Sequence, residues 1–453
     1  MRIVIEGAGE IGSHLAKMLR DEDNEVTVID NDEVRLKTLN SNVDVHTVLG
    51  NPSSIRGLRE AEAGKADLFI AVYPGQTQEM NLVGSMLAKR LGASRVIARI
   101  NDKDYLTAEN KLIFKEMGIE HMFYPERSAA DEIATYLTYS STGETMDFTR
   151  GKLQIAVFKL DEESSILDMT LGEFMASLPE ESRQQFRIIA IAHGDKTIIP
   201  RLDSKFRFGD QVFTISRQEG VTELYKFFNK TNESIDSVMI LGGSSISRML
   251  AETLAKRDVK VKILEKDKDL CVKLSEDLPD SVIISNVDGR NSDVLFEEGI
   301  RDYSAFIALT DNDESNVLAC VMARKFGVYQ TIAEVENIEY MQLAEELGVN
   351  KVINKKLITA GKIFRFTLSG RARFVRYMSG ARAEVIEYTV APGCAITSAK
   401  IKDLDFPEGA IICGVIRGND SFIAVGDTQI EAYDKVAIFA TPEAVKKIDI
   451  MFK

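Results

Sequence analysis

The chain reads itself twice, and nothing else in the sequence constrains its fold so tightly. Val4-Ile5-Glu6-Gly7-Ala8-Gly9-Glu10-Ile11-Gly12 finds a counterpart 235 positions later in Met239-Ile240-Leu241-Gly242-Gly243-Ser244-Ser245-Ile246-Ser247. The same shift carries Leu15-Ala16 onto Leu250-Ala251, Val28-Ile29-Asp30 onto Ile263-Leu264-Glu265, and Asn81 onto Asn316. It also carries Ala88-Lys89-Arg90-Leu91-Gly92 onto Ala323-Arg324-Lys325-Phe326-Gly327. A second pair of segments repeats with a shift of 224, placing Ile189 to Gly194 on Cys413 to Gly418 and Gly209 to Val212 on Tyr433 to Val436. The order is A-B-A′-B′, with a seam near Lys230 to Ser234. The expected division is a first large domain over 1–123, a connecting helix over 124–142 and a small domain over 143–227. The second round follows as 232–350, 351–372 and 373–453.

Unit A alternates short β-rich runs with amphipathic stretches. Ile3 to Ile5, Val26 to Ile29, Val45 to Leu49, Leu68 to Val72 and Val96 to Ile100 are rich in Val, Ile and Leu. They show little polar alternation, as expected of strands covered on both faces of a parallel sheet. Between the first two, Ile11, Leu15, Met18 and Leu19 mark one face of a helix. The fold class expected is α/β: two Rossmann-like, doubly wound parallel-sheet lobes, each followed by a small α+β lobe. In the small lobes Phe186 to Ile199 and Ala410 to Val425 read as hairpins turning at Gly194-Asp195 and Gly418-Asn419.

The most informative motif is Gly7-x-Gly9-x-x-Gly12, lying between a strand and a helix. Gly7 makes the tight turn, Gly9 lets a pyrophosphate approach the backbone, and Gly12 lets helix and sheet pack closely. Free N–H groups and the positive end of the helix dipole then face the phosphates, with Ala8, Glu10 and Ile11 supplying the rest of the turn. Asp30 ends the second strand, where a carboxylate accepts hydrogen bonds from both ribose hydroxyls and repels a 2′-phosphate. NAD or another unphosphorylated adenosine is favoured over NADP. In the second copy Gly242 and Gly243 open the turn, but Ser244 and Ser247 replace two glycines, and Ser245 and Ile246 complete it. Serine keeps a small hydroxyl side chain but hinders close backbone approach. Glu265 occupies the ribose position, and Asp288 and Thr310 follow the third and fourth strands at the ligand-binding edge. This second pocket reads equally as a nucleotide site or as a structural copy.

Charge and cysteines exclude several function classes. With 70 acidic against 56 basic residues the net charge is −14, a poor basis for binding nucleic acid. Cys271, Cys320, Cys394 and Cys413 are scattered with no CxxC, so neither a zinc site nor a disulfide framework is expected, and no metal ligands are assigned. No apolar run approaches the roughly 18 residues of a spanning helix, and MRIVIEGAG reads as a buried strand rather than a signal peptide. A cytoplasmic protein is expected. The basic stretch from Lys355 to Arg382 holds eight cations and no acid; it reads either as a solvated face or as a surface for anionic lipid or ligand phosphate.

With these residues in hand, the chain resembles the tandem regulator-of-potassium-conductance (RCK) family, the peripheral NAD-binding subunits of Trk potassium uptake. The resemblance covers essentially the whole chain. It rests on IEGAGEIG, Asp30, Ala71-Val72 and Ala98-Arg99-Ile100 in the first half, and on ALTDNDESN, GAIICGVIRGND and Tyr433-Asp434 in the second. The resemblance implies RCK N-terminal and C-terminal lobes in alternation, NAD or NADH in the first lobe, and ATP, ADP or a second NAD in the second. It implies self-association into a ring, a homotetramer with a dimer as the alternative, at the inner face of the plasma membrane beneath an integral-membrane potassium-translocating subunit. The family's nucleotide contacts carry over onto Gly7 to Ile11, Asp30, Tyr73-Pro74 and Arg99. Arg99 is read as reaching a phosphate or pairing with a neighbouring carboxylate. Tyr73-Pro74 is bulkier than the small, hydroxylated loop usual there.

A dehydrogenase is the rival reading, since one fold serves many functions. Hydride transfer usually wants a general acid beside the nicotinamide. His14, His46, His121 and His193 form no constellation with a carboxylate in sequence, and the units after each Rossmann-like lobe are short and duplicated. No catalytic residue is assigned. A nucleotide-sensing regulatory subunit is the reading preferred over an enzyme or a ligand-free interaction module.

Overall fold

The computed structural model describes residues 1–21, 24–73, 78–139, 144–148, 153–162, 164–183, 185–193, 196–217, 220, 224, 227–228, 235–364, 366, 372–377 and 383–452. These fold as two compact units. One joins 1–134 to 236–367, and the other joins 135–235 to 368–453. The repeat is thus sorted by kind, A with A′ and B with B′.

In the first unit each A segment builds a six-stranded sheet. The first holds β1 (Arg2–Glu6), β2 (Glu25–Asp30), β3 (His46–Leu49), β4 (Leu68–Ala71), β5 (Arg95–Arg99) and β6 (His121–Phe123) in the order β3-β2-β1-β4-β5-β6. Every neighbouring pair is parallel. This order reverses direction at β1 and β4, the switch point where doubly wound sheets open a crevice at their carboxyl edge. The central strands are apolar because helices cover both faces, and all four residues of β4 are buried.

Five strands, every neighbouring pair antiparallel, form the next sheet in sequence, which belongs to the second unit: β7 (Glu144–Phe148), β8 (Leu153–Lys159), β9 (Phe186–His193), β10 (Lys196–Ile198) and β11 (Gln211–Ser216) in the order β10-β9-β11-β8-β7. The expected hairpin is β9 and β10, paired antiparallel. The A′ sheet then repeats the first: β12 (Ser237–Leu241), β13 (Lys260–Glu265), β14 (Val282–Asn286), β15 (Ala305–Ala308), β16 (Gln330–Glu334) and β17 (Lys351–Ile353), ordered β14-β13-β12-β15-β16-β17. The boundary expected at 350 moves, because Lys351–Ile353 pairs with β16 as the sixth parallel strand and the following helix runs only over Lys355–Phe364. Three residues led by a lysine carry too little periodicity to read as a strand. The last sheet, β18 (Ala372–Tyr377), β19 (Glu384–Thr389), β20 (Ala410–Arg417), β21 (Asp420–Ile423) and β22 (Lys435–Ala440), is ordered β18-β19-β22-β20-β21. Its hairpin is β20 and β21.

Within the second unit the two five-stranded sheets share one core, in which Leu153, Ile155, Phe213 and Ile215 meet Val385, Cys413 and Phe439. The Phe213 and Phe439 ring centroids lie 5.7 Å apart, and Arg187 Nη1 donates to the Ala424 carbonyl at 2.6 Å. Within the first unit, the helix Glu10–Asp21 of one lobe packs on the helix Lys355–Phe364 of the other. All four cysteine thiols are buried and unbridged.

Candidate nucleotide site

The glycine turn sits where the sheet order reverses. Gly7 has φ +103°, and its N–H donates to the Ile29 carbonyl at 2.8 Å, tying the end of β1 to β2. A Cβ there would lie 2.6 Å from the Tyr73 Cα, so only glycine admits both the backbone conformation and the close approach. At Gly12 a Cβ would collide with the Gly7 carbonyl oxygen, which is why the helix can leave the turn so steeply. The Asp30 carboxylate braces the turn from below: Oδ2 accepts the Ala8 N–H at 2.6 Å and Oδ1 accepts the Asp32 N–H at 2.8 Å. Asp30 is fully buried. Asp32 in turn caps the next helix by accepting from the Val34 and Arg35 N–H groups.

Tyr73 leaves β4 on the far side of β1 from Asn31, yet its hydroxyl donates to Asn31 Oδ1 at 2.8 Å, so the ring bridges the two loops that flank the turn. Its partner in the expected pair, Pro74, lies outside the described residues. Arg99, at the end of β5, sets its Nη2 3.3 Å from Glu126 Oε1, taking the carboxylate of the two partners open to it in sequence.

The second lobe reproduces the brace and changes the turn. Gly242 has φ +97°, Gly243 donates to Glu265 Oε2 at 2.6 Å, and Asp267 donates to Glu265 Oε1 at 2.7 Å. Ser244, however, is the helix N-cap, with its hydroxyl 3.3 Å from the Ser247 N–H and 3.1 Å from the Ser247 hydroxyl. By accepting the Ser247 N–H, the Ser244 hydroxyl occupies a donor that a phosphate would otherwise take. Ser245 and Ile246 begin that helix. Around this turn opens a cleft of about 350 Å³ that gathers Gly242, Gly243, Ser244, Glu265, Asp288 and Thr310. Ser245 and Ile246 do not line it. Asp288 forms a bidentate pair with Arg290, at 2.8 and 2.5 Å, and these hydrogen bonds hold its carboxyl down at about 2. Arg290 and Lys266 line it beside the carboxylates of Glu265, Asp267, Asp288 and Asp311.

Three features escaped the sequence reading. The first is a buried amide clamp in each lobe. Asn81 Oδ1 accepts the Tyr73 N–H at 2.7 Å while its Nδ2 donates to the Arg99 carbonyl at 3.2 Å. Asn316 does the same between Thr310, at 3.0 Å, and the Glu334 carbonyl, at 2.9 Å. The pairing of Asn81 with Asn316 in the repeat was the signal available for it. The second is Glu6, fully buried at the end of β1, with both carboxyl oxygens lacking a hydrogen-bond partner. Burial first, and the Asp30 charge second, push its carboxyl well above the usual range.

The third is a charge cluster between the two lobes of this unit. Lys355 pairs with Glu334 and Glu336, both at 3.0 Å, and Lys356 reaches Glu10 Oε2 at 3.1 Å. Lys362 donates to the Ser128 hydroxyl at 2.7 Å. Three of the eight cations are thus accounted for: these lysines bind within the fold rather than forming a solvated face. Arg365, Arg371 and Arg382 lie outside the described residues. In the second unit His193 does meet a carboxylate, with Nδ1 2.6 Å from Asp210 Oδ1. Its repeat counterpart Arg417 meets Asp434 at 3.0 and 2.8 Å. Arg207 N–H and Glu431 N–H donate to those same aspartates, which makes both pairs braces for a turn. Among the described residues no helix is long and apolar enough to cross a membrane, and no group of three His, Cys, Asp or Glu could hold a metal ion.

Comparison with known proteins agrees with this division. The TrkA-N domain family matches residues 3–125 and 238–355, and the TrkA-C domain family matches 155–229 and 385–452. A Trk system potassium uptake protein TrkA homolog from Archaeoglobus fulgidus is 31% identical over 455 residues, covering 100% of both chains. The Trk system potassium uptake protein TrkA of Haemophilus influenzae is 30% identical over 460 residues, covering 100% of this chain and 99% of its own. Among solved structures, the GsuK channel bound to NAD superposes with a TM-score of 0.62 at 16% identity, over 100% of this chain and 78% of that one. The likeness is one of fold.

Proposed function

The chain belongs to the TrkA family, with TrkA-N and TrkA-C domains each present twice, and from that premise we propose that it is a nucleotide-sensing regulatory subunit of a potassium-uptake system. The observation that carries the reading is the intact glycine turn at the switch point of a 3-2-1-4-5-6 sheet, braced by a buried aspartate. NAD or NADH binds the first lobe, its diphosphate over Gly7, Ala8, Gly9, Glu10, Ile11 and Gly12 and its adenosine ribose at Asp30. Tyr73 spans the two loops beside the turn, and Arg99 joins only by leaving Glu126. An adenine nucleotide, ATP or ADP, or a second NAD, enters the second cleft over Gly242 to Ile246, with Glu265 at the ribose and Asp288 and Thr310 at the far wall.

The work done is allosteric rather than catalytic. Each nucleotide shifts the protein between two shapes only by its difference in affinity for them, and a tenfold preference is worth about 1.4 kcal/mol per site. Several sites in a ring would add to a useful bias. Self-association has a physical basis in the helices Ala108–Glu116 and Ile338–Glu346. They occupy equivalent places in the two lobes and expose Leu112 and Ile113 on one, Tyr340 and Leu343 on the other. The ring sits at the cytoplasmic face of the membrane and acts on an integral potassium-translocating partner.

The test is titration of the full chain with NAD, NADH, ATP and ADP by calorimetry, beside potassium flux through the reconstituted membrane partner. Binding of at least one nucleotide, with a matching change in flux, is expected. No binding by any of the four, or binding that leaves flux unchanged, overturns the sensing role. Turnover of an alcohol in the same tubes would favour the dehydrogenase instead.

A further inference from the structure

We propose that the first nucleotide site is composite: Lys356, from the second lobe, is its diphosphate-binding cation. The inference rests on the NAD(H) reading of the first lobe and names a residue which that reading does not contain.

Glu10 is an awkward residue for a phosphate turn. It is the first residue of the helix whose N-terminus would receive the diphosphate, it is exposed, and its charge opposes the ligand. The structure answers that charge from outside the lobe. Lys356 stands in the first turn of the helix Lys355–Phe364, packed on the helix Glu10–Asp21, and its Nζ lies 3.1 Å from Glu10 Oε2. The lysine side chain is largely buried, 19% exposed, so it is held at the rim of the turn rather than waving in solvent. Its Nζ also donates to the Glu336 carbonyl at 3.3 Å. An ammonium has three donors in freely rotating positions, so one remains for a phosphate oxygen beside Glu10 without breaking either bond.

The repeat supplies an internal control. Aligning the sixth strands, His121–Phe123 with Lys351–Ile353, places Glu126 where Lys356 stands. The corresponding turn residue in the second lobe is Ser245. The cation therefore stands beside the turn that kept its glycines, whereas its counterpart in the first lobe, Glu126, is an acid that binds Arg99. Lys355, the neighbour of Lys356, is fixed by Glu334 and Glu336 of its own lobe, which leaves Lys356 as the lysine that crosses. Filling the first site would then tighten the contact between the two lobes.

The experiment uses the full chain and two probes, NADH and adenosine, the second lacking any phosphate. Lys356→Gln should raise the dissociation constant for NADH about tenfold and flatten its salt dependence, while leaving adenosine binding unchanged. Lys356→Arg should restore most of the loss. In a Glu10→Gln background Lys356→Gln should still weaken NADH. If it no longer does, the lysine only neutralises Glu10 and the proposal falls. Equal NADH affinity in wild type and Lys356→Gln also overturns it, as does a parallel loss of adenosine binding, which would mark a folding defect. If the wild type binds neither probe, it is the nucleotide reading of the first lobe that has failed.

Discussion

Glu6 offers the sharpest check on the physics of the first lobe. Its carboxyl sits beneath the glycine turn, fully buried, with no hydrogen-bond partner on either oxygen. A Cβ on Gly84 of the helix Gln78–Leu91 would collide with it, so the space is fitted to the acid. In the second lobe the same two positions are Leu241 and Ala319, an apolar pair. Burial and the neighbouring Asp30 charge raise the folded-state pKa of Glu6, so the folded chain holds a proton that the unfolded chain releases near pH ~4.3. Stability from this group is therefore complete below the unfolded value and is lost as pH rises toward the folded one, at about 1.4 kcal/mol per pH unit. Glu6→Gln keeps the shape and cannot titrate. The difference in unfolding free energy, Glu6→Gln minus wild type, should grow with pH at about that slope from roughly pH 5 upward. Urea unfolding followed by circular dichroism at several pH values measures it, and titrating groups that do not interact with Glu6 cancel in the difference. Glu6→Leu, copying the second lobe, should show the same trend even if repacking costs a constant amount. A difference that stays flat across that range would refute the argument, because it would mean Glu6 titrates alike in both states.

Three further outcomes follow from other contacts. Asp30→Ala removes a carboxylate that accepts at 2.6 and 2.8 Å and should weaken NADH by about 1–3 kcal/mol in calorimetry; an unaltered constant places the ribose elsewhere. Asn81→Ala strips the Tyr73 N–H and the Arg99 carbonyl of a buried partner, at a cost of about 2–4 kcal/mol. Hydrogen exchange at the Tyr73 amide should accelerate, and unchanged protection would show that the clamp holds nothing. Leu343→Asp charges an exposed apolar helix face and should lower the mass of the assembly in light scattering, whereas an unshifted mass would move the ring contacts to another face.

Much of this architecture could be read in advance because its constraints are local. A strand buried on both faces must be apolar along its whole length, as Leu68 to Ala71 is, and a turn with φ near +100° pressed against a neighbouring backbone must be glycine, as Gly7 is. Asp30 was legible because strand end and turn are fixed by the same two features. What stayed hidden depends on partners far along the chain. Three-residue strands such as Lys351–Ile353 gain their pairing only once a sheet edge exists to receive them. His193 and Asp210 lie 17 residues apart and meet because β9 and β11 run antiparallel. Asn81 looks like any polar residue on an amphipathic helix until β4 and β5 bring Tyr73 and Arg99 to either side of it. Lys356 was visible only as one charge in a basic run, since its partner Glu10 precedes it by most of the chain.

The two lobes differ in a way that bears on what each can bind. Both keep the bonds that hold loops in place whatever occupies the crevice: the acid that braces the turn, Asp30 or Glu265, and the amide that staples the fourth loop to the fifth strand, Asn81 or Asn316. They diverge at the surface a phosphate would touch. In the second lobe the Ser244 hydroxyl already serves the helix N-terminus, an N-cap worth about 1 kcal/mol, so an arriving phosphate must displace or share it. Its rim offers Arg290, tied to Asp288, whereas the first lobe offers bare backbone and a lysine lent by its neighbour. A ligand held chiefly by its diphosphate should therefore prefer the first lobe. One held by its ribose, with phosphates reaching out to the rim, suits the second. Duplication thus preserved the scaffold while the two crevices diverged at the surface a ligand would meet.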